Sequence, residues 1–213
     1  MSPGAPLAGY VHVFEAAPVA GGRTLLLLHG TGGDEENLVP LGRMLDDHAA
    51  LLSPRGPVLE HGHPRFFRRL AEGVFDLDDL ARRTDDLARF VEEAASLYGF
   101  DCAKLCAVGF SNGANAAASL LLRRPGVLRE AVLFRAMTPF EPATPPGLHG
   151  ARVFMSNGRN DPFAPEPSAA RLAALLRESG ADVTLRWDDR GHTITHDEVR
   201  AAREWLAGVP AGD

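Results

Sequence analysis

The sequence predicts an α/β protein built on a mostly parallel sheet of about seven strands, with helices on both faces of the sheet. Two observations lead to this prediction. Short apolar runs alternate along the chain with segments whose apolar residues recur every three or four positions. The 213 residues are enough for one compact domain with a full core, and 45% are hydrophobic against 23% charged, as in ordinary globular domains. We therefore expect a single domain over residues 1–213.

The strands are predicted from apolar runs that are too short for helices. Because these runs alternate with helical segments, they are expected to pair mostly in parallel. The predicted strands are residues 10–15, 24–28, 50–52, 104–109, 131–134, 152–155 and 182–187.

The clearest helix is predicted at residues 77–98, where apolar positions follow one another at spacings of three or four or their sum. Asp76, Asp78 and Asp79 lie at its start and Gly99 follows its end, in accord with the helix dipole and with capping preferences. Further helices are predicted at residues 35–47, 112–123, 167–178 and 197–207.

Two long connections differ in character. The segment 135–150 contains Pro139, Pro142, Pro145 and Pro146, and proline at this density opposes a packed helix. We therefore expect no helical lid over the sheet. The segment 53–75 is expected to lack regular structure, and loops of that length usually carry function or are mobile.

Composition and charge exclude several classes of function. The net charge of −6 is spread over mixed acidic and basic residues without a basic tract, so nucleic acid is not an expected partner. No stretch approaches the roughly 18 apolar residues of a membrane span, and the first ten residues lack the features of a signal peptide, which predicts a cytoplasmic protein. Cys102 and Cys106 are expected to be buried free thiols, since no second pair completes a metal site.

A catalytic nucleophile is predicted at Ser111, within the stretch GFSNG. A strand that ends in Gly-x-Ser-x-Gly and turns directly into a helix places the serine on a sharp, strained bend with its oxygen above the sheet edge. Gly109 and Gly113 leave room where the helix start and neighbouring strands crowd this bend. The free N–H groups of the helix start would favour a developing negative charge there.

A serine nucleophile needs a base and an acid that orients the base, and on this fold they follow in the order serine, acid, histidine. His192 lies on a loop beyond the last strand, at the carboxyl edge of the sheet where catalytic groups gather. Asp161 follows the penultimate strand at the same edge. The alternatives are His149 and His196 for the base, and Asp188 and Asp189 for the acid.

The oxyanion hole is predicted from two backbone N–H groups. One belongs to Asn112, which directly follows the nucleophile. The other is assigned to Thr31, in the strand-to-loop segment LHGTGG at residues 28–33. A phosphate-binding loop is not supported, because no Gly-Lys-Ser/Thr follows and the acidic residues at 34–36 would repel phosphate.

With LLLLHGTGGDEENLVPLG, GFSNGA, GRNDPF and DDRGHTIT in order, the chain resembles the small carboxylesterase/phospholipase group of α/β-hydrolases, which includes the acyl-protein thioesterases. Within it, HGTGGDE and the SPRG and FFRRLAEGVF segments resemble a bacterial branch associated with hydroquinone and catechol. The resemblance implies a Ser-His-Asp hydrolase of carboxylic esters without a cofactor, with Ser111 as nucleophile, His192 as base, Asp161 as acid and Thr31 and Asn112 as oxyanion donors. Many members have glutamine where Asn112 stands, and the shorter side chain could alter the pocket.

The substrate is expected to be a small-molecule ester with a short acyl chain or a small aromatic group. Thioesterase or lysophospholipase activity on the same triad is an alternative, as is a catalytically silent binding protein of the same fold. A metal hydrolase using His192 and His196 would lack a general base, because Thr193 stands where the glutamate is required. Candidate pocket walls are Phe66, Phe67, Phe75, Met137 and Phe163, and candidate carboxylate ligands are Arg55, Arg65, Arg68 and Arg69. Apolar residues around Phe66 and Phe67 would suit a homodimer contact.

Overall fold

The computed structural model describes residues 6–19 and 21–208, and its centre is a seven-stranded sheet. In spatial order the strands are β1 (His12–Glu15), β3 (Ala50–Pro54), β2 (Thr24–Leu28), β8 (Leu105–Phe110), β9 (Glu130–Phe134), β10 (Arg152–Gly158) and β11 (Asp182–Asp188). Only β1 is antiparallel to its neighbour, β3. The prediction of a mostly parallel sheet is confirmed, and each predicted strand corresponds to one of the seven.

The helices are α1 (Val39–Leu45), α2 (Leu77–Tyr98), α3 (Asn112–Arg123), α4 (Glu166–Glu178) and α5 (His196–Leu206). The bounds of α2 and α3 are those predicted. Asp76 caps α2 by accepting a hydrogen bond of 3.0 Å from the Asp79 N–H, and Gly99 ends it in the left-handed conformation with φ of 70°. These local signals are strong enough to determine the ends of the helix.

Helices cover both faces of the sheet, as predicted. One core cluster joins the buried sides of α2, α3 and α4 to the sheet, and the second joins α1 and α5 to the opposite face. Both faces of the central strands are therefore packed, which explains why every residue of β2 is buried.

The first predicted helix, residues 35–47, is too long: α1 spans only Val39–Leu45. Pro40 lies in its first turn, where proline is favoured, so the helix begins close to it. Glu35, four residues before the first residue of the helix, Val39, is buried and binds the Arg55 guanidinium at 2.5 Å instead of entering the helix.

The segment 53–75 has more regular structure than predicted. It contains two antiparallel hairpins, one of β4 (Val58–Glu60) with β5 (His63–Arg65) and one of β6 (Arg69–Ala71) with β7 (Val74–Phe75). These strands have two or three residues each, which is too short for a period-two pattern to stand out in the sequence. Between the hairpins, Phe66 and Phe67 insert into the main core.

Two predictions concern a helical lid at residues 135–150 and a membrane-spanning segment, neither of which was expected. The structure describes all of residues 135–150, and that segment contains no helix, so no helical lid is built there. Among the residues described, no helix is both long and apolar enough to cross a membrane.

The cysteine prediction is correct for the buried Cys106, whereas Cys102 is only half-buried. The single domain over residues 1–213 stays a prediction, because residues 1–5, 20 and 209–213 lie outside the described ranges.

Candidate active site

Ser111 lies on a sharp turn between the end of β8 and the start of α3, with φ of 53° and ψ of −117°. A positive φ is unfavourable for a residue with a side chain, and such strain persists only where surrounding structure enforces it. Here the Ser111 N–H donates to the Phe134 carbonyl at 2.9 Å, which ties the turn to the neighbouring strand. The serine is thus held in the conformation that the motif predicts.

The two motif glycines are required because backbone approaches them closely. A Cβ on Gly109 would lie 2.6 Å from the backbone nitrogen of Ala114. A Cβ on Gly113 would overlap the carbonyl oxygen of Leu28 at the end of β2. Any larger residue at either position would push α3 away from the sheet.

The structure brings Ser111, His192 and Asp161 into one hydrogen-bonded chain. The Nε2 atom of His192 lies 2.8 Å from the Ser111 Oγ, and its Nδ1 lies 2.7 Å from the Asp161 Oδ2. Asp161 follows β10 and His192 follows β11, so both come from the carboxyl edge of the sheet, as predicted.

The Asp161 carboxylate is buried and fully engaged. Its Oδ1 accepts hydrogen bonds from the N–H groups of Phe163 at 2.8 Å and Ala164 at 3.1 Å, which leaves Oδ2 for the imidazole. The rings of Phe110 and Phe163 flank His192, with centroids 5.1 and 5.0 Å from that of the imidazole. These contacts fix the position of both side chains.

The other histidines and acids do not join this group. His149 and His196 are exposed, and so is Asp189. Asp188 lies 3.1 Å from the Arg135 guanidinium rather than beside His192. In the described part of the chain, no group of three or more His, Cys, Asp or Glu side chains could hold a metal ion.

The N–H groups of Thr31 and Asn112 are the predicted oxyanion donors. None of the described residues accepts a hydrogen bond from either group. The Thr31 loop is fixed from below by His29, whose Nε2 accepts a hydrogen bond of 2.9 Å from the Gly56 N–H while its Nδ1 donates to the Gly30 carbonyl. Burial lowers the pKa of His29, in agreement with a neutral, structural imidazole.

Arg135, which the sequence does not mark as a functional residue, is a buried side chain beneath the site. Its guanidinium donates to the carbonyl oxygens of Gly191, at 2.9 Å, and Thr193, and so grips the chain on both sides of His192. Its Nε also lies 4.0 Å from the Asp161 Oδ2. Glu198 in α5 binds the same guanidinium. Arg135 therefore holds the loops of the base and the acid together.

The sequence offers little signal for Arg135. It directly follows a strand and has a φ of 59°, but neither its conformation nor its burial follows from the neighbouring residues. The only sequence signal for its partner Glu198 is its place at the third helical position in a capping box with Thr195. The pairing itself spans 63 positions in the sequence.

A cavity of about 240 Å³ opens beside Ser111. Of the predicted pocket walls, Phe75, Met137 and Phe163 line it. The prediction is wrong for Phe66 and Phe67, which are 2% and 1% exposed and belong to the core. The Phe66 ring packs against the His29 imidazole, with centroids 4.9 Å apart, and its backbone N–H donates to the Asn112 Oδ1 at 2.8 Å. Both rings are buried and offer no surface to a partner chain, whereas Leu59 and Leu70 of the same segment are exposed. The homodimer contact by apolar residues around Phe66 and Phe67 stays a prediction.

Comparisons with known proteins give several close relatives, although no family model matches the chain. The chain is 46% identical over 194 residues to a Bacillus subtilis (strain 168) protein named "Putative hydrolase MhqD", a match that covers 91% of this chain and 96% of that protein. The crystal structure of the Bacillus cereus carboxylesterase is 46% identical, with a TM-score of 0.91 over 93% of this chain and 94% of that one. A carboxylesterase from Mesorhizobium loti is 33% identical, with a TM-score of 0.91 over 97% and 98% of the two chains.

Proposed function

Since the chain belongs to the carboxylesterase/phospholipase family of α/β-hydrolases and is a carboxylic ester hydrolase, we propose that it cleaves small esters through an acyl-enzyme on Ser111. His192 is the base and Asp161 is the acid that orients it. The single observation that carries this proposal is the chain of two hydrogen bonds, of 2.8 and 2.7 Å, from the Ser111 Oγ through the imidazole to the carboxylate.

In the first step the Ser111 Oγ attacks the ester carbonyl carbon while His192 Nε2 takes the hydroxyl proton. Asp161 accepts from the Nδ1–H, which keeps the imidazole in the tautomer whose Nε2 is free to act as a base. The same carboxylate stabilises the imidazolium that forms. His192 then gives its proton to the departing alcohol as the tetrahedral intermediate collapses to the acyl-enzyme.

The negative charge that develops on the carbonyl oxygen is received by the N–H groups of Thr31 and Asn112. Their lack of partners within the described residues supports this role, since preorganised donors require no rearrangement during the reaction. The N-terminal end of α3 adds its positive dipole at the same place.

Water completes the reaction. It attacks the acyl carbon as His192 again takes a proton, the second tetrahedral intermediate expels the Ser111 Oγ, and the proton returns to that oxygen. The carboxylic acid leaves and the site is restored.

The size of the cavity favours a small substrate. Its volume of about 240 Å³ lies below the range of roughly 300–1,000 Å³ typical of drug-sized ligand pockets. The segment 135–150 contributes no helical lid over it. A short acyl chain or a small aromatic ester therefore suits the site better than a long-chain lipid.

The test is hydrolysis of 4-nitrophenyl esters from acetate to palmitate by the wild type and by Ser111→Ala. We expect short esters to be cleaved and the variant to lose about a million-fold in kcat, as expected when a catalytic serine is removed. Ser119→Ala is the matched control: this serine lies in α3 and is fully buried, and none of the described residues forms a hydrogen bond with its side chain. Equal rates for wild type and Ser111→Ala would contradict the proposal and favour a silent binding protein.

A further inference from the structure

One wall of the cavity beside Ser111 carries hydrogen-bond donors that the ester reaction does not use. Arg65 and Asn115 both line the cavity, and their residues are only 3% and 6% exposed. Buried polar side chains normally have partners, so donors that line the cavity without a protein partner are available to a polar group of a ligand.

Arg65 is fixed in place but keeps donors free. Its Nη1 donates to the Thr31 Oγ1 at 2.6 Å, its Nε donates to the Phe67 carbonyl at 3.2 Å, and the same Nε lies 3.2 Å from the Glu60 carboxylate. The Nη2 group has no partner among the residues that the structure describes, and it is not among the enclosed polar atoms. Arg65 therefore presents an immobilised guanidinium with an accessible edge.

Asn115 presents a second donor of fixed orientation. Its Oδ1 accepts a hydrogen bond of 2.9 Å from the Met137 N–H, which determines which end of the amide is the nitrogen. The Nδ2 group is consequently the free end. Within the described chain no residue accepts from it, and it too is not enclosed.

The remaining arginines of the segment 53–75 are committed elsewhere. Arg55 pairs with Glu35 at 2.5 Å, and Arg68 pairs with Asp76 at 2.6 Å with 60% of its side chain exposed; neither lines the cavity. Arg69 does line it, but its guanidinium is held between Glu60 and Glu72. Glu72, the one carboxylate among the residues lining the cavity, is correspondingly neutralised by Arg69. Arg65 is thus the cation with an unused edge at this site.

We propose that Arg65 and Asn115 form a subsite for a carboxylate, and that the preferred substrates are small esters carrying a free carboxylate beside the ester group. This inference rests on the proposed function of Ser111. A carboxylate accepts charge-assisted hydrogen bonds from both donors, whereas a neutral group of the same shape leaves the guanidinium edge desolvated and unpaired. Arg65, Asn115 and Ser111 line the same cavity of about 240 Å³, which suits a substrate whose carboxylate and ester group are a few bonds apart.

The experiment compares two esters of one shape. In 4-nitrophenyl hydrogen glutarate the acyl chain ends in a carboxylate, and in 4-nitrophenyl 5-methylhexanoate an isopropyl group replaces it. The rates of both are corrected for hydrolysis without enzyme. We expect the wild type to have a kcat/KM about tenfold or more higher for the acid than for the neutral ester, the discrimination expected of one charge-assisted hydrogen bond.

Arg65→Met removes the charge at similar length and is expected to bring this ratio to about one or below. Asn115→Asp keeps the acceptor for the Met137 N–H but replaces the free donor with a negative charge, and it is expected to lower the ratio as well. The second variant also provides the test if Arg65→Met does not fold. Arg68→Met is the matched control, because it removes a charge from the same segment outside the cavity and should leave the ratio unchanged.

Two results would overturn the inference while the proposed function stands. One is a wild type that cleaves both esters without preference for the acid. The other is an Arg65→Met variant that slows both esters by the same factor, which would mean that Arg65 acts only by holding Thr31. If neither ester is cleaved faster than by Ser111→Ala, the proposed function itself fails and the inference fails with it.

Discussion

The turn that carries Ser111 can form only because the residue at position 113 is a glycine, which has no Cβ. Gly113 packs directly against the Leu28 carbonyl oxygen, so α3 approaches β2 more closely than any side chain would permit. Because β2 and β8 are parallel neighbours, the nucleophile and the loop that begins at His29 already share one edge of the sheet, and this approach brings the start of α3 against that loop. The active-site geometry therefore depends on Gly113, a residue that takes no part in the reaction.

Gly113→Ala is expected to lower the free energy of unfolding by about 3 kcal/mol or more, because backbone must move to admit the Cβ. Urea denaturation of the variant measures the loss. Gly147→Ala is the control, since a Cβ there meets nothing within 4 Å and the substitution should cost little. Equal stability of the two variants would show that the close approach at Gly113 is not needed.

Residues that act within a local motif could be identified from the sequence, whereas residues that act across the fold could not. Gly109 and Gly113 lie within two residues of Ser111 in the chain, and the order serine, acid, histidine points to Asp161 and His192. Arg135 has no such signal, because its partners come from the segments before and after β11. Phe66 and Phe67 were misplaced for a related reason: an aromatic residue in a long connection can face either the core or a cavity, and only the tertiary packing decides between them.

The elements at the carboxyl edge of the sheet depend on one buried cation. Arg135 contacts Asp161 in the loop after β10 and the two backbone carbonyls on either side of His192 in the loop after β11. It also binds Glu198 in the first turn of α5. These contacts fix the positions of the two catalytic loops relative to each other. Removal of the Arg135 cation would leave the buried Glu198 carboxylate unpaired.

Arg135→Met is expected to lower kcat by about 100-fold with a smaller change in KM, because the imidazole loses the support on both sides of it. It should also destabilise the protein by about 3 kcal/mol, since Glu198 is left without its cation. The double variant Arg135→Met/Glu198→Gln removes that unpaired charge. Recovery of stability in the double variant without recovery of kcat identifies Arg135 as a positioning residue, and recovery of both would reduce it to a structural one.

Long elements were predicted more accurately than short ones. The 22 residues of α2 give six turns of repeated pattern and two end signals, and the prediction of its bounds is confirmed. The hairpins between Val58 and Phe75 have strands of two or three residues, so their pairing depends on tertiary contacts that no local pattern records. The same segment supplies Arg65 to the cavity, and its role there became apparent only from the structure.

For the molecule as a whole, the buried ion pairs under the site link stability to pH. Burial alone would raise the pKa of the Glu198 carboxyl, but hydrogen bonds from Arg135, Ser156 and the Thr195 N–H outweigh it and hold the pKa well below its usual 4.5. A carboxyl whose pKa is lower in the folded state contributes stability that is present above its unfolded pKa. That contribution is lost as the pH falls toward the folded pKa.

The free energy of unfolding is therefore expected to fall between about pH 5 and pH 2, and to fall less steeply in Glu198→Gln than in the wild type. Urea titrations at a series of pH values measure both slopes. Parallel slopes would show that the Glu198 carboxyl has the same pKa in the folded and unfolded chain.

Covalent labelling is the sharpest test of whether Ser111 is the activated nucleophile of this ester hydrolase. A fluorophosphonate probe reacts with serines that a neighbouring base activates. We expect one probe per chain, located on Ser111 by peptide mass mapping. Labelling should be absent from Ser111→Ala, strongly slowed in His192→Ala and unchanged in Ser119→Ala. A folded wild-type protein that takes up no probe, or that carries it on another residue, would show that Ser111 is not an activated nucleophile.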